Sequence, residues 1–200
     1  MKSSHAPEPE SVCLRKILIL SYWSYPNEIV GAVRAESWLR NFSDHGVFPV
    51  MVTRDWTREQ LPFVSGGEVA VAVERREGAE VHRVRCRQPP RELFPDALAL
   101  PGAAVLRKAW NAACFVGSFL SEHLAGMHEL YRVAAQLLRA DAEIELILAS
   151  VSPFHLLGLA QRLSREFELP WIADYRDEWS GNPRLEVLDT PQKVLERGMA

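Results

Sequence analysis

The sequence predicts an α/β domain built on a parallel sheet with helices on both faces. Three observations carry that reading. Lys16–Ser21 is a near-continuous apolar run, the pattern of a strand buried on both faces rather than on one. A stretch with helical spacing follows it and leads into a second apolar run at Phe48–Thr53, so the first unit reads strand–helix–strand, which favours a right-handed crossover. The same alternation returns at Glu143–Ser150 and Trp171–Ala173, again around a helical stretch. Two hundred residues, 48% apolar and 24% charged, are enough for one such domain with a sizeable core.

Taken in order, the first 13 residues are polar and proline-rich, with Ser3, Ser4, Pro7, Glu8, Pro9 and Glu10, and read as a disordered tail without the apolar core of a signal peptide. The loop Tyr22–Val30 follows the first strand. Gly31 then opens a helix to about Asp44, with Val33, Trp38, Leu39 and Phe42 on its apolar face and Gly46 as its stop. Arg54–Gly67 reads as a polar loop. Val69–Val73 and Glu80–Arg85 read as short strands, the second half-exposed or near an edge because apolar and charged residues alternate.

Residues 103–139 read as helical, interrupted near Gly117 and Gly126. Leu120, Leu124, Met127, Leu130, Val133 and Leu137 recur at helical steps and suit packing on the sheet. A membrane-surface or partner helix is the alternative, but the mixed signs of the polar residues argue against a dedicated basic anchor. Glu143–Ser150 puts Ile144, Leu146, Ile147 and Leu148 in the core. Ser152 suits an N-cap and Pro153 a first helical residue, which places His155 in the first turn, where the helix N-terminus favours the neutral imidazole. That helix runs to about Glu168, and Trp171–Ala173 reads as a short buried strand.

Several functional classes are excluded. A net charge of -3 without a broad basic face gives no case for nucleic acid. Cys13, Cys86 and Cys114 have neither metal-ligand spacing nor a disulfide pattern, which suits a reducing cytoplasm; no metal site is expected. Apolar runs such as Ile17–Leu20 are far short of a membrane span. Neither a G-x-G-x-x-G nor a Walker A sequence is present. Arg83, Arg85, Arg87 and Arg91 form a local basic cluster that reads as a solvated face or as a contact for an anionic substrate or lipid headgroup.

The densest chemistry lies in Pro170–Pro183, where Trp171-Ile172-Ala173 breaks into a loop carrying Asp174, Arg176, Asp177, Trp179 and Asn182. A loop at the carboxyl end of a strand is where open α/β sheets place ligands. Arg176 between Asp174 and Asp177 favours ionised carboxylates, which accept hydrogen bonds from hydroxyls rather than shuttle protons. Trp179 offers a stacking face or a core plug. The same residues also fit a surface loop tied down by its own ion pairs.

Trp-Ile-Ala-Asp-Tyr-Arg-Asp-Glu-Trp-Ser-Gly-Asn-Pro resembles the W-(V/I)-A-D-(F/Y)-R-D-x-W signature of the N-terminal domain of glycosyltransferase family 4-like enzymes. Lys16–Tyr22, Pro26 and Gly31-Ala32-Val33-Arg34-Ala35 resemble that family's first strand, glycine-bearing loop and first helix; Ser150–His155 resembles its S-x-S-P turn. The matches stand in family order over residues 16–190.

The resemblance implies one Rossmann-like half of a GT-B fold, occupying residues 14–189, with residues 190–200 starting a helix toward a C-terminal domain that these 200 residues do not include. It implies a retaining transferase, acting without a cofactor or bound metal, that moves a sugar from a nucleotide-sugar to a glycan or lipid-linked acceptor in cell-envelope or exopolysaccharide synthesis. Gly31 and Arg34 match the donor-phosphate side, and Ser152, His155, Asp174, Arg176, Asp177 and Trp179 the acceptor side. The family's paired-glutamate motif for the donor sugar has no counterpart here, so a C-terminal donor domain or a partner chain is implied, in the cytoplasm or at the inner membrane face with peripheral membrane contact. The alternative is a non-catalytic binding or interaction module that keeps the fold.

Overall fold

The computed structural model describes residues 14–61, 69–89, 104–121, 126–151 and 153–175. Their elements are β1 (Arg15–Ser21), α1 (Val30–Asn41), a 3-10 turn (Ser43–His45), β2 (Val47–Arg54), β3 (Val71–Arg76), β4 (Ala79–Val84), α2 (Ala104–Leu120), α3 (His128–Ala140), β5 (Ile144–Val151), α4 (His155–Phe167) and β6 (Trp171–Tyr175). The six strands form one sheet in the order β3-β4-β2-β1-β5-β6. Every neighbouring pair is parallel except the β3–β4 hairpin. The architecture is a Rossmann-like α/β fold.

The central strand explains the layers. Ile17 and Ile19 face the side covered by Ala35 and Leu39 of α1, together with Met51 and Val81. Leu18 and Leu20 face the other side, with Leu130, Val133 and Ala134 of α3 and Leu156, Leu159 and Leu163 of α4. Leu18 and Ile19 are fully buried, so successive residues fill opposite cores; each contributes roughly 1.5–3 kcal/mol of burial free energy. An unbroken apolar run is the consequence.

Some local expectations are corrected. Val33 is exposed, because the α1 face on the sheet is Gly31, Ala32, Ala35 and Leu39; the helix ends at Asn41, and the 3-10 turn then carries the chain to Gly46 in the left-handed region. β4 lies near an edge, as its alternation suggested, next to the outermost described strand β3; it is more buried than half-exposed, and the exposed alternation belongs to β3. Arg54 does not open a loop: it ends β2 and is buried. Gly117 lies within α2, and the interruption falls at Gly126, whose φ is +69°. The strand expected at Trp171–Ala173 extends to Tyr175 and is not buried throughout: β6 pairs with β5 on one side, and Ile172 is half exposed.

Two anchors set the ends of these elements. Lys16 bonds Asp141 at 2.9 Å and Glu143 at 2.6 Å, tying the start of β1 to the turn before β5. The Glu143 and Asp141 hydrogen bonds push the Lys16 ammonium up to about 12, and Lys16 in turn holds the Asp141 carboxyl below its usual range. In the β3–β4 turn, Gly78 has φ +77°, and a Cβ there would meet the Ser43 Cβ at 2.6 Å.

Gly78→Ala therefore combines a left-handed backbone with a clash, and is expected to cost about 2 kcal/mol or more in urea unfolding. Gly158→Ala, in open space within α4, is expected to be neutral or to stabilise by up to about 1 kcal/mol in the same assay. Lys16→Gln should lower stability by less than about 1 kcal/mol between roughly pH 5 and 10, since the pair is partly exposed. Because the Asp141 value is depressed, the difference should fade as pH drops through it; because the Lys16 value is raised, it should fade again as pH rises through about 12. Unfolding curves of both proteins across pH check this.

Candidate functional site

The carboxyl ends of β1, β2, β4, β5 and β6 open on one edge of the sheet, because these strands run parallel. From β1 the chain passes through α1 to β2 on one side, and it later returns to place β5 on the other side. The switch point between β1 and β5 is where such sheets leave a crevice. The start of α1 belongs to that edge. Ile29, at its N-cap, makes no side-chain capping bond, and the first turn carries no acidic residue, so no side chain there offsets the positive end of the helix dipole.

One contact brings the expected residues together. Arg34, in the second turn of α1, donates from Nη1 to both carboxylate oxygens of Asp174 at 2.8 and 2.7 Å, across 140 residues of sequence. The strand register explains the geometry. Leu148 pairs with Ile172 and Ser150 with Asp174, so Asp174 lies on the sheet face that α1 covers. Asp174 is the penultimate residue of β6, inside the strand rather than in a loop beyond it. The Arg34 and Asp174 side chains are 39% and 25% exposed. Nε and Nη2 of Arg34 carry no hydrogen bond to any described residue, which leaves N–H donors available to an anion at the sheet edge.

The other assigned residues divide. Gly31 is buried in the first turn of α1, two residues before the exposed Val33. His155 is the first residue of α4 and partly buried, at the end of the crossover from β5. Phe154 stands at the N-cap of α4, and the N–H groups of Leu156 and Leu157 bond to the carbonyls of Pro153 and Phe154. Ser152, Arg176, Asp177 and Trp179 lie outside the described residues, as does Arg91.

The basic cluster disperses into separate anchors. Arg83 pairs with Glu74 at 3.1 Å and donates to the Tyr25 carbonyl at 2.8 Å; Arg85 donates to the Glu59 carbonyl at 2.7 Å; Arg87 pairs with the buried Glu129. Hydrogen bonds from Arg76, then Arg83, hold the Glu74 carboxyl below the usual range despite partial burial. These arginines serve as local ties rather than as one cationic face.

A second feature of the edge was not read from sequence. Arg54 at the end of β2 is 3% exposed and lies 4.3 Å from the Trp56 ring centre and 5.2 Å from that of Tyr22, whose hydroxyl accepts from Nη1. Trp23 stacks on Trp56 with centres 4.6 Å apart, and the Trp56 indole donates to the Tyr22 carbonyl. The signal was present as aromatics directly after two parallel strands, Tyr22-Trp23 and Trp56, but their meeting depends on β1 and β2 being neighbours. This cluster forms a rigid wall beside the crevice. On the outer flank of α1, Tyr25, Glu28, Val33, Ser37 and Asn41 line an open groove of about 500 Å³ that Arg34 does not enter.

No model of a known protein family matches this chain, and no curated protein matches it.

The exposure of the Arg34–Asp174 pair sets its value to folding. A double-mutant cycle with Arg34→Ala and Asp174→Ala, read by urea unfolding, should give a coupling of about 0.2–1 kcal/mol. A coupling above about 2 kcal/mol would make the pair a structural staple first.

Proposed function

We propose that this chain is the acceptor-binding, N-terminal domain of a retaining glycosyltransferase that moves a sugar from a nucleotide-sugar to a glycan or lipid-linked acceptor in cell-envelope or exopolysaccharide synthesis. The observation that supports it most is the Arg34–Asp174 contact at the carboxyl edge, with spare Arg34 donors beside an uncapped helix start. The resemblance of Lys16–Ala35, Ser150–His155 and Trp171–Pro183 to the family 4-like N-terminal domain supports the same reading, and the described parts of these stretches reach the carboxyl ends of β1, β5 and β6.

In this reading Asp174 fixes the guanidinium, and Arg34 with the start of α1 receives the diphosphate of the donor. When the bond from the anomeric carbon to the phosphate oxygen breaks, negative charge grows on the leaving diphosphate, and donors already aimed at it stabilise that charge without reorganising. The acceptor hydroxyl forms the new bond to the anomeric carbon and gives up its proton to the oxygen of the departing diphosphate. His155 and Asp174 contribute polar atoms on the acceptor side, with Asp177 and Trp179 beyond β6. A donor domain, in the same polypeptide or in a partner chain, supplies the contacts to the nucleotide and sugar.

The alternative, a non-catalytic binding or interaction module, draws on the same pair: Arg34 already has an internal partner and therefore a structural use.

The test is transfer from a nucleotide-sugar by the natural full-length product or by this chain with its donor domain. Arg34→Ala should leave the far-UV circular dichroism unchanged and lower transfer by about 10²–10³-fold, the scale of losing one preorganised donor to a developing anion. Arg34→Lys should recover only part of it. Transfer within about threefold of wild type in Arg34→Ala would remove Arg34 from the site. No turnover in any pairing, with Arg34→Ala altering stability alone, would favour the interaction module.

A further inference from the structure

In the helix α2, several apolar residues whose exposure is described face outward. No α2 residue whose exposure is described is buried, and the helix meets the rest of the fold chiefly at α4. Its exposed residues include Leu106, Ala109, Ala113 and Val116. Leu106 is 66% and Val116 43% exposed. Steps of three, four and three residues put these four side chains in one stripe, so the outward face is an apolar seam. In α3 and α4 the residues at such steps, for example Leu130, Val133 and Ala134 or Leu156, Leu159 and Leu163, point into the core instead.

The stripe has two properties that select its occupant. Alternating three- and four-residue steps are the spacing of a helix–helix seam. Its order is also symmetric in size about Asn111: Ala109 and Ala113 stand two residues away on either side, and Leu106 and Val116 five residues away. An antiparallel pair with its two-fold axis at the level of Asn111 sets each Leu106 opposite the other copy's Val116, and each Ala109 opposite the other copy's Ala113. Small residues then meet at the crossing, where the axes approach, and large ones close the ends. A two-fold interface must be self-complementary in this way.

Charge selects the same orientation. Arg107 and Lys108 are the only charged residues of α2, both near its N-terminal end. A parallel pair would bring the two basic ends together. An antiparallel pair places them at opposite ends of the seam and aligns the two helix dipoles head to tail.

We propose that α2 is a self-association surface, on which a second copy of this chain docks its own α2 antiparallel along Leu106, Ala109, Ala113 and Val116. A helix of 17 residues spans only about 25 Å, so the contact falls below the area of a standard stable interface. Dimerisation on the order of 1–100 µM is expected.

Analytical ultracentrifugation of the full chain from about 1 to 300 µM brackets that range. The mass should rise toward two chains, and Leu106→Glu and Val116→Glu should each weaken dimerisation at least about tenfold, with unchanged circular dichroism. Cross-linking tests the orientation without relying on either variant. In a Cys13→Ser, Cys114→Ser background, mixing Ala109→Cys with Ala113→Cys chains should form the mixed disulfide faster than either chain forms its own. A monomer throughout the range overturns the proposal, as does a dimer that both glutamate variants leave intact or preferential Ala109→Cys self-cross-linking. A monomer that binds anionic lipid vesicles through Leu106 and Val116 also overturns it and assigns the face to a membrane surface.

Discussion

The double-sided burial of β1 is the constraint from which the rest of the structure follows. Leu18 and Ile19 are both completely buried, on opposite faces, so each face needs its own cover. The α1 helix covers one and the α3 and α4 helices the other. The strand also needs hydrogen-bonding neighbours on both sides, which are β2 and β5. A chain that builds outward from a central strand first in one direction and then in the other leaves a switch point at that strand's carboxyl end. The position of the candidate site is thus a consequence of how the most buried strand is enclosed.

Much of this was legible because burial on both faces writes itself into consecutive residues. The runs at Lys16–Ser21, Phe48–Thr53 and Glu143–Ser150 fall on β1, β2 and β5. The misreadings came where local pattern and sheet position diverge. Trp171-Ile172-Ala173 is apolar, yet Ile172 is half exposed, because among the described residues β6 has a strand neighbour only on its β5 side. The alternation of β4 suggested a half-exposed strand; it does stand next to the outermost described strand, but its charged residues reach partners across β3: Glu80 meets Arg75, and Arg83 meets Glu74. Val33 fits the helical period and still faces outward, because Ala32 and Ala35 give α1 a closer approach to the sheet. The Arg34–Asp174 contact had no local signal at all; it depends on the register that sets Ser150 beside Asp174.

The described arginines separate by what they touch. Arg87 is matched to a buried carboxylate, Arg83 and Arg85 spend donors on loop carbonyls, and Arg54 is held among aromatic rings. Arg54 and Arg83 tie loops to the sheet, Arg85 joins two loops, and Arg87 ties the segment after β4 to the start of α3. Arg34 differs in geometry: a single nitrogen serves both oxygens of Asp174, which orients the guanidinium while leaving donors on its other nitrogens. A cation that is oriented but not saturated suits ligand binding better than one that is enclosed, since the cost of ordering the side chain is met before the ligand arrives. That distinction raises Arg34 above a basic cluster that looked more conspicuous in the sequence.

The two surfaces inferred for this chain are compatible because they belong to different layers. Arg34 and Asp174 lie on the face covered by α1, whereas α2 rests against α4, which packs on the opposite face through Leu156, Leu159 and Leu163. A second copy docked along Leu106 and Val116 therefore need not approach the carboxyl edge beside α1, where a donor domain would close on the site. On the two proposals, the layering of the sheet around β1 separates the face that would bind ligand from the one that would associate. A substitution on either surface can then be read separately, because effects at sites in different layers that share no partner add nearly independently.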